Sequence, residues 1–193
     1  GNQDTLFANG SRAYIRNSTI SGNYDFTFGN GQLLIEDSTI VSRKCGQPMK
    51  AGVIHSYFAV PSTQLKHDFG IVFIRSRLSE ASVPNRSVTL ARPWHPTNFT
   101  DGRYAYPNAV GQVPSIDCFI DAHIDEQHYS TMCGTARDGR KPAILKPQDS
   151  RFQESGSVGP GAHSAATDID LQPPWNVSDL YHAFFINWKQ GNQ

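Results

Sequence analysis

Tyr14-Ile15-Arg16-Asn17-Ser18-Thr19-Ile20 is followed, twenty positions later, by Leu34-Ile35-Glu36-Asp37-Ser38-Thr39-Ile40, the same order of residue characters. A period of this size is one structural coil per repeat, each coil stacked on its neighbour, because one unit this short cannot bury an apolar face alone. Strand-like runs rich in Ile, Val, Leu, Tyr and Phe at 12–16, 33–36, 69–74 and 86–91, separated by Gly, Asn, Ser and Asp clusters, fit the same scheme. The steps from Leu34 to Phe73 and from Phe73 to Leu90 read as two periods and one. A β-sandwich also has short strands at such spacing, but it does not call for near-identical successive segments. The fold class predicted is all-β: a right-handed parallel β-helix with long surface loops and a short C-terminal helix.

Beyond residue 95 the regularity breaks. His95 to Asn108 reads as a long surface loop, Ser115 to Ile124 as one more strand pair, and residues 134–174 as largely irregular. Ser178 reads as the N-cap of a helix running to about Lys189, whose Leu180, Tyr181, Phe184, Phe185 and Trp188 pack on the outside of the coil.

Composition narrows the function classes. Seventeen basic and seventeen acidic residues among 193, with no run of either, argue against nucleic acid or a membrane surface as the partner. Cys45, Cys118 and Cys133 show no metal-ligand spacing. The chain opens Gly1-Asn2-Gln3-Asp4-Thr5-Leu6, without an initiator Met, a signal peptide or a cap. The expectation is one β-helix domain over residues 1–193, preceded by further coils and by a signal peptide.

The period also predicts a chemical site. Asp4 and Asp25 lie twenty-one residues apart, one coil, and paired strands sit about 4.8 Å apart. The two carboxylates then share a face, with Gln3 beside them and Phe28 as an apolar neighbour. Two acids this close cannot both ionise cheaply, so one is poised as a general acid and the other as a nucleophile or base. An Asp ladder that merely caps turns has the same spacing. In Ile20-Ser21-Gly22-Asn23-Tyr24-Asp25-Phe26-Thr27-Phe28-Gly29 the aspartate stands between aromatics, as in a sugar-binding groove. In Leu90-Ala91-Arg92-Pro93-Trp94-His95-Pro96, Arg92 and Trp94 project from one side of an extended chain. Arg92 is placed to hold Asp25 ionised, and Trp94 to offer a flat face to a pyranose ring.

Gln3-Asp4-Thr5-Leu6, the Ile20–Gly29 block and Arg92-Pro93-Trp94, in this order, resemble the pectin methylesterases (pectinesterases). Asp101-Gly102-Arg103-Tyr104-Ala105, Pro107-Asn108-Ala109, Asp149-Ser150-Arg151-Phe152 and Gly159-Pro160-Gly161-Ala162 resemble the branch found in bacterial plant pathogens. The resemblance spans nearly the whole chain. It implies a secreted, monomeric hydrolase that turns the methyl esters of polygalacturonate into methanol and pectate, in cell-wall modification and pectin degradation, with no metal or organic cofactor. By the same resemblance Asp25 is the nucleophile that forms an acyl-enzyme, Asp4 the acid and base, and Gln3 an oxyanion donor. Arg92 orients Asp25, Trp94 and Phe28 border the sugar cleft, and Thr97 and Met132 touch substrate.

The chain departs from the family in several places. Tyr24 and Thr27 replace branched aliphatics, which puts the shape of the subsite next to Tyr24 in question. Ala91 replaces a Gly, and Ser18 and Ser38 stand where bacterial relatives carry a disulfide. The family's second oxyanion Gln falls one coil before Gln3, outside the sequence. Three other readings fit part of the pattern. A polygalacturonase-type hydrolase also uses paired aspartates, but a Gln beside the acid and the Arg-Pro-Trp block favour the esterase. A membrane-anchored family relative with acyl-thioesterase activity is disfavoured by the intact Gln3–Leu6 motif and Trp94. The third is an inactive or carbohydrate-binding β-helix fragment.

Overall fold

A computed structural model describes residues 1–44, 46–137, 142–163 and 176–186. Three parallel ladders run along a stack of coils. The first coil carries β1 (Leu6–Ala8), β2 (Arg12–Arg16) and β3 (Thr19–Gly22), and the second β4 (Thr27–Gly29), β5 (Gln32–Glu36) and β6 (Thr39–Arg43). The third carries β7 (Ser56–Pro61), β8 (Ile71–Ile74) and β9 (Arg77–Ala81). In the fourth, β10 (Val88–Ala91) is followed by an antiparallel hairpin of β11 (Thr97–Asn98) and β12 (Tyr104–Ala105), then by β13 (Gln112–Ile116) and β14 (Phe119–Ile120). A second hairpin, β15 (Met132–Gly134) with β16 (Ala143–Leu145), precedes β17 (Arg151–Ser155). The sheets are ordered β1-β4-β7-β10, β2-β5-β8-β13-β17 and β3-β6-β9-β14. This is the predicted parallel β-helix.

The quoted repeat works because of its turn. Between the second and third sheets each coil makes a two-residue corner whose first residue has positive φ: Asn17, Asp37, Arg75, Asp117 and Gly156, at 45–64°. Asn, Asp and Gly tolerate this region best; Arg75 is the exception. The second corner residue is small: Ser18, Ser38, Ser76, Cys118, Ser157. Ser18 N donates to Ser38 Oγ (3.1 Å), Ser38 N to Ser76 Oγ (3.2 Å) and Cys118 N to Ser157 Oγ (3.2 Å). The hydroxyls of Ser38 and Ser76 also donate to the carbonyls of Glu36 and Ile74, two residues earlier. Where relatives are expected to carry a disulfide, this chain runs a hydroxyl ladder.

Beyond its first strand the second sheet is buried on both faces, so β5, β8 and β13 read as largely apolar runs. Leu33, Ile35, Ile71, Phe73 and Val113 point into the coil. Leu34, Val72, Ile74 and Ile116 point out and are covered, with Phe69, by Leu180 and Phe184 of α1 (Val177–Phe185). Complete burial of each of those two side chains is worth about 1.5–3 kcal/mol. Polar groups hold the helix too: Glu36 accepts from Tyr14, Tyr181 and Arg75, and Arg12 donates to the carbonyls of Phe184 and Ile186 (both 2.8 Å).

Several expectations need correction. The step from Leu34 to Phe73 is one coil, not two: Leu34 pairs with Val72 and Ile35 with Phe73, because the chain between β6 and β7 lengthens that coil. Phe73 and Leu90 are not one coil apart; they belong to different sheets, and Phe73 pairs with Ser115. The region expected to be irregular contains β16 and β17, and the loop at 95–108 contains a hairpin. The helix N-cap is Asn176, whose side chain accepts from Asp179 N at 2.8 Å, so Ser178 lies inside the first turn. Cys45, Trp188 and Lys189 lie outside the described residues.

Candidate active site

The first ladder sets the two acids one above the other. Gln3 bridges to Tyr24 and Leu6 pairs with Thr27, so Asp4 and Asp25 occupy matching positions on adjacent coils. Asp4 N donates to Tyr24 O at 3.2 Å and Leu6 N to Phe26 O at 2.7 Å, which fixes the register on either side. Both aspartates have positive φ, 52° and 50°, a conformation that costs energy and persists only where neighbours impose it. Asp25 is 6% exposed, whereas Asp4 lies open to solvent, so burial distinguishes two otherwise equivalent acids.

Arg92 arrives from just beyond β10. Arg92 N donates to Ala59 O and Trp94 N to Pro61 O, extending the ladder two residues past the strand and fixing both side chains. The guanidinium grips Asp25 at both oxygens, Nε donating to Oδ1 at 3.0 Å and Nη2 to Oδ2. Burial pushes the Asp25 carboxyl up from its usual range, the Arg92 hydrogen bond and charge pull it back, and Asp4 pushes it up again; the net direction is upward. Burial pushes Arg92 down, and the bond and charge of Asp25 more than reverse this. Among these opposing effects geometry decides: a two-pronged bond to a permanently charged guanidinium favours the carboxylate.

Gln3, Asp4, Asp25, Phe28, Val60, Trp94 and Met132 line one cleft of about 230 Å³. Phe28 and Trp94 wall it with ring centroids 6.1 Å apart, and Phe7, outside the lining, stacks on Phe28 at 4.7 Å. Three residues named from the sequence stand outside that lining: Arg92, which lies behind Asp25, and Tyr24 and Thr97. Tyr24 packs against Arg92, whose guanidinium lies 5.1 Å from its ring centre. Thr97 bonds Thr135 (3.0 Å between hydroxyls) and lines a neighbouring hollow of about 220 Å³ with Asn30, Asn98 and Tyr106. Thr27, at 0% exposure, satisfies its hydroxyl by donating to Phe58 O, which lets it replace an aliphatic.

Sequence reasoning missed Val60 and Tyr57. Tyr57 follows Asp4 and Asp25 in the same column of the ladder, since Thr27 pairs with Ala59. Its ring lies 4.0 Å from the Arg92 guanidinium carbon and meets Tyr24 edge-on, so two tyrosines enclose the cation. Counting coils would have found it, had the long segment after β6 not hidden the register.

Fold and cleft together define a parallel β-helix protein with a paired-carboxylate site walled by aromatic rings. The pectinesterase family profile matches residues 1–101, and the chain belongs to that family. Pectinesterase A of Dickeya chrysanthemi is 41% identical over 165 residues, covering 84% of this chain and 44% of its own length. The solved pectin methylesterase of Yersinia enterocolitica superposes with a TM-score of 0.84 at 37% identity, covering 97% of this chain and 58% of that one. A pectin methylesterase crystallised with a hexasaccharide superposes with a TM-score of 0.86 at 35% identity, covering 98% and 55%. The chain thus spans less than half the length of the curated relative.

Proposed function

We propose that the protein is a carboxylic ester hydrolase, a pectin methylesterase that releases methanol from methyl-esterified polygalacturonate. The observation that carries this reading is a buried Asp25 held at both oxygens by Arg92, beside Asp4, in a cleft walled by Phe28, Trp94 and Met132. Asp25 attacks the ester carbonyl carbon, and Gln3 donates a hydrogen bond to the developing oxyanion. Asp4, open to solvent, protonates the methoxide as the C–O bond breaks, giving methanol and an anhydride between Asp25 and the sugar carboxyl. Asp4 then takes a proton from water, whose oxygen attacks the anhydride, freeing pectate and restoring Asp25. The apolar wall of the cleft receives sugar faces and excludes water from the reacting bond.

The partner is pectin, and the site of action the extracellular cell wall, with the protein acting as a secreted monomer. Among the described residues no helix is long and apolar enough to cross a membrane. Methanol release from methylated pectin, measured beside reducing-end formation from pectate, tests the assignment. Methanol without new reducing ends is the expected result; new reducing ends without methanol identify a polygalacturonase, and neither product identifies a binding module.

A further inference from the structure

His128, Glu154 and His163 converge from three segments of chain outside the carboxylate cleft. The side chains of His128 and Glu154 are 1% and 5% exposed, with Nδ1 and Oε2 2.6 Å apart. The His163 ring stacks on His128, centroids 3.4 Å apart and planes 21° from parallel. One candidate ligand atom from each of the three residues lies within 4.8 Å of the others.

Hydrogen bonds decide which ring atoms face inward. His128 Nε2 lies 2.7 Å from Gly161 O, and His163 Nε2 lies 3.0 Å from Glu126 O. A carbonyl oxygen only accepts, so each Nε2 carries a hydrogen, which leaves Nδ1 as the ring atom that a metal ion could take in place of a proton. Backbone carbonyls orient metal-bound histidines in this way. His163 N donates to Glu154 Oε1 at 3.2 Å and turns the other carboxylate oxygen toward His128. Two stacked rings at this distance disfavour a double positive charge, whereas one cation can be shared by two imidazole nitrogens and a carboxylate. A hollow of about 450 Å³, lined by Arg86, Glu126, His128, Gly161 and His163 among others, adjoins the cluster and gives an ion and its waters a way in.

We propose that His128, Glu154 and His163 bind one divalent transition-metal ion of the zinc class, with its remaining positions open to the adjoining hollow. Two imidazoles and one carboxylate suit zinc, cobalt or nickel and disfavour calcium and magnesium, which take oxygen ligands. Ligand atoms of a zinc ion sit about 2 Å from the metal, so partly exposed His163 moves in on binding. The ion would clasp the Gly159–Ala162 turn and β17 to the turn that carries His128. The cluster shares no residue with the acid cleft, so the proposal stands apart from the esterase reading.

The test uses the complete protein without an affinity tag, stripped by a chelator and titrated with zinc chloride by calorimetry, then with cobalt chloride by visible absorption. Expected is one equivalent of zinc per chain, and with cobalt the intense visible bands of four- or five-coordination. His163→Gln, at a partly exposed position, and Glu154→Gln each weaken binding at least about tenfold. An unchanged melting temperature of metal-free His163→Gln shows that the loss is one of ligation; should Glu154→Gln not fold, His163→Gln decides. Absence of a one-equivalent zinc isotherm in the parent protein, or undiminished affinity in His163→Gln, overturns the site.

Discussion

Arg92 reaches back sixty-seven residues to hold Asp25 by both carboxylate oxygens, while Tyr57 and Tyr24 enclose its guanidinium. The side chains of Arg92 and Asp25 are 14% and 8% exposed, so the pair is nearly out of water. That contact joins the second coil to the fourth and sets the charge of the acid proposed to react.

Asp25→Asn keeps an oxygen that can accept from Arg92 and removes the nucleophile. Methanol release should fall below about a tenth of the parent rate, and in practice far lower. Circular dichroism and pectin affinity should be little changed. Retention of more than a tenth of the turnover rejects Asp25 as nucleophile.

Arg92→Ala acts on the same carboxylate through its proton. Burial and Asp4 both push the Asp25 carboxyl up, and Arg92 opposes them. Without Arg92 the upward pressure is unopposed, so Asp25 holds its proton to higher pH. The acid limb of the kcat/KM profile should move to higher pH, with a rate at neutral pH reduced by roughly two orders of magnitude or more. An unmoved acid limb would assign that limb to another group.

Gly29→Ala tests the spacing of the coils beside the cleft. Gly29 has φ +121°, and a Cβ there would lie 1.9 Å from Ala8 O, a backbone atom of the coil before. Strained backbone alone costs about 1–3 kcal/mol, and the overlap adds to it. Because Phe28 is the adjacent residue, both the urea midpoint and the esterase rate should drop. Parent-like stability would show that the first two coils slide apart freely.

His123 makes acid stability a one-residue question. Burial pushes its imidazole down from 6.5 to about 4. Below pH 6.5 the unfolded chain takes up a proton that the folded chain refuses, so stability is lost as pH falls toward 4, by at most about 1.4 kcal/mol per pH unit. His123→Phe keeps a ring against Phe58, 5.5 Å away in the parent, and should flatten that dependence. Urea denaturation at pH 7 and pH 5 measures it; identical slopes in both proteins would clear His123 of this role.

Glu36→Gln loosens the C-terminal helix. The buried carboxylate accepts from Tyr14, Tyr181 and Arg75, and an amide cannot serve three donors as well as an anion. A loss of about 1–3 kcal/mol is expected. Faster hydrogen exchange at 177–185 locates it at the helix, and unchanged exchange there would place the helix's support in Leu180 and Phe184 alone.

The amino-acid sequence by itself determined the coil. Asn17-Ser18 and Asp37-Ser38 encode a left-handed corner followed by a small hydroxyl residue, a local demand that recurs at each step from the second sheet to the third. Where two coils follow without insertion, the period also carries function, and Asp4 above Asp25 is such a case. Only the tertiary structure decided what lies beyond the first long insertion. The segment after β6 makes Leu34 to Val72 a single coil, and counting residues cannot distinguish a long loop from an extra turn of the helix. Tyr57 and Val60 therefore become visible only when the ladder is assembled, because strand pairing fixes which side chains meet and loop length does not; the pairing of Arg92 with Asp25 was legible in the sequence, and the ladder adds its two-pronged geometry.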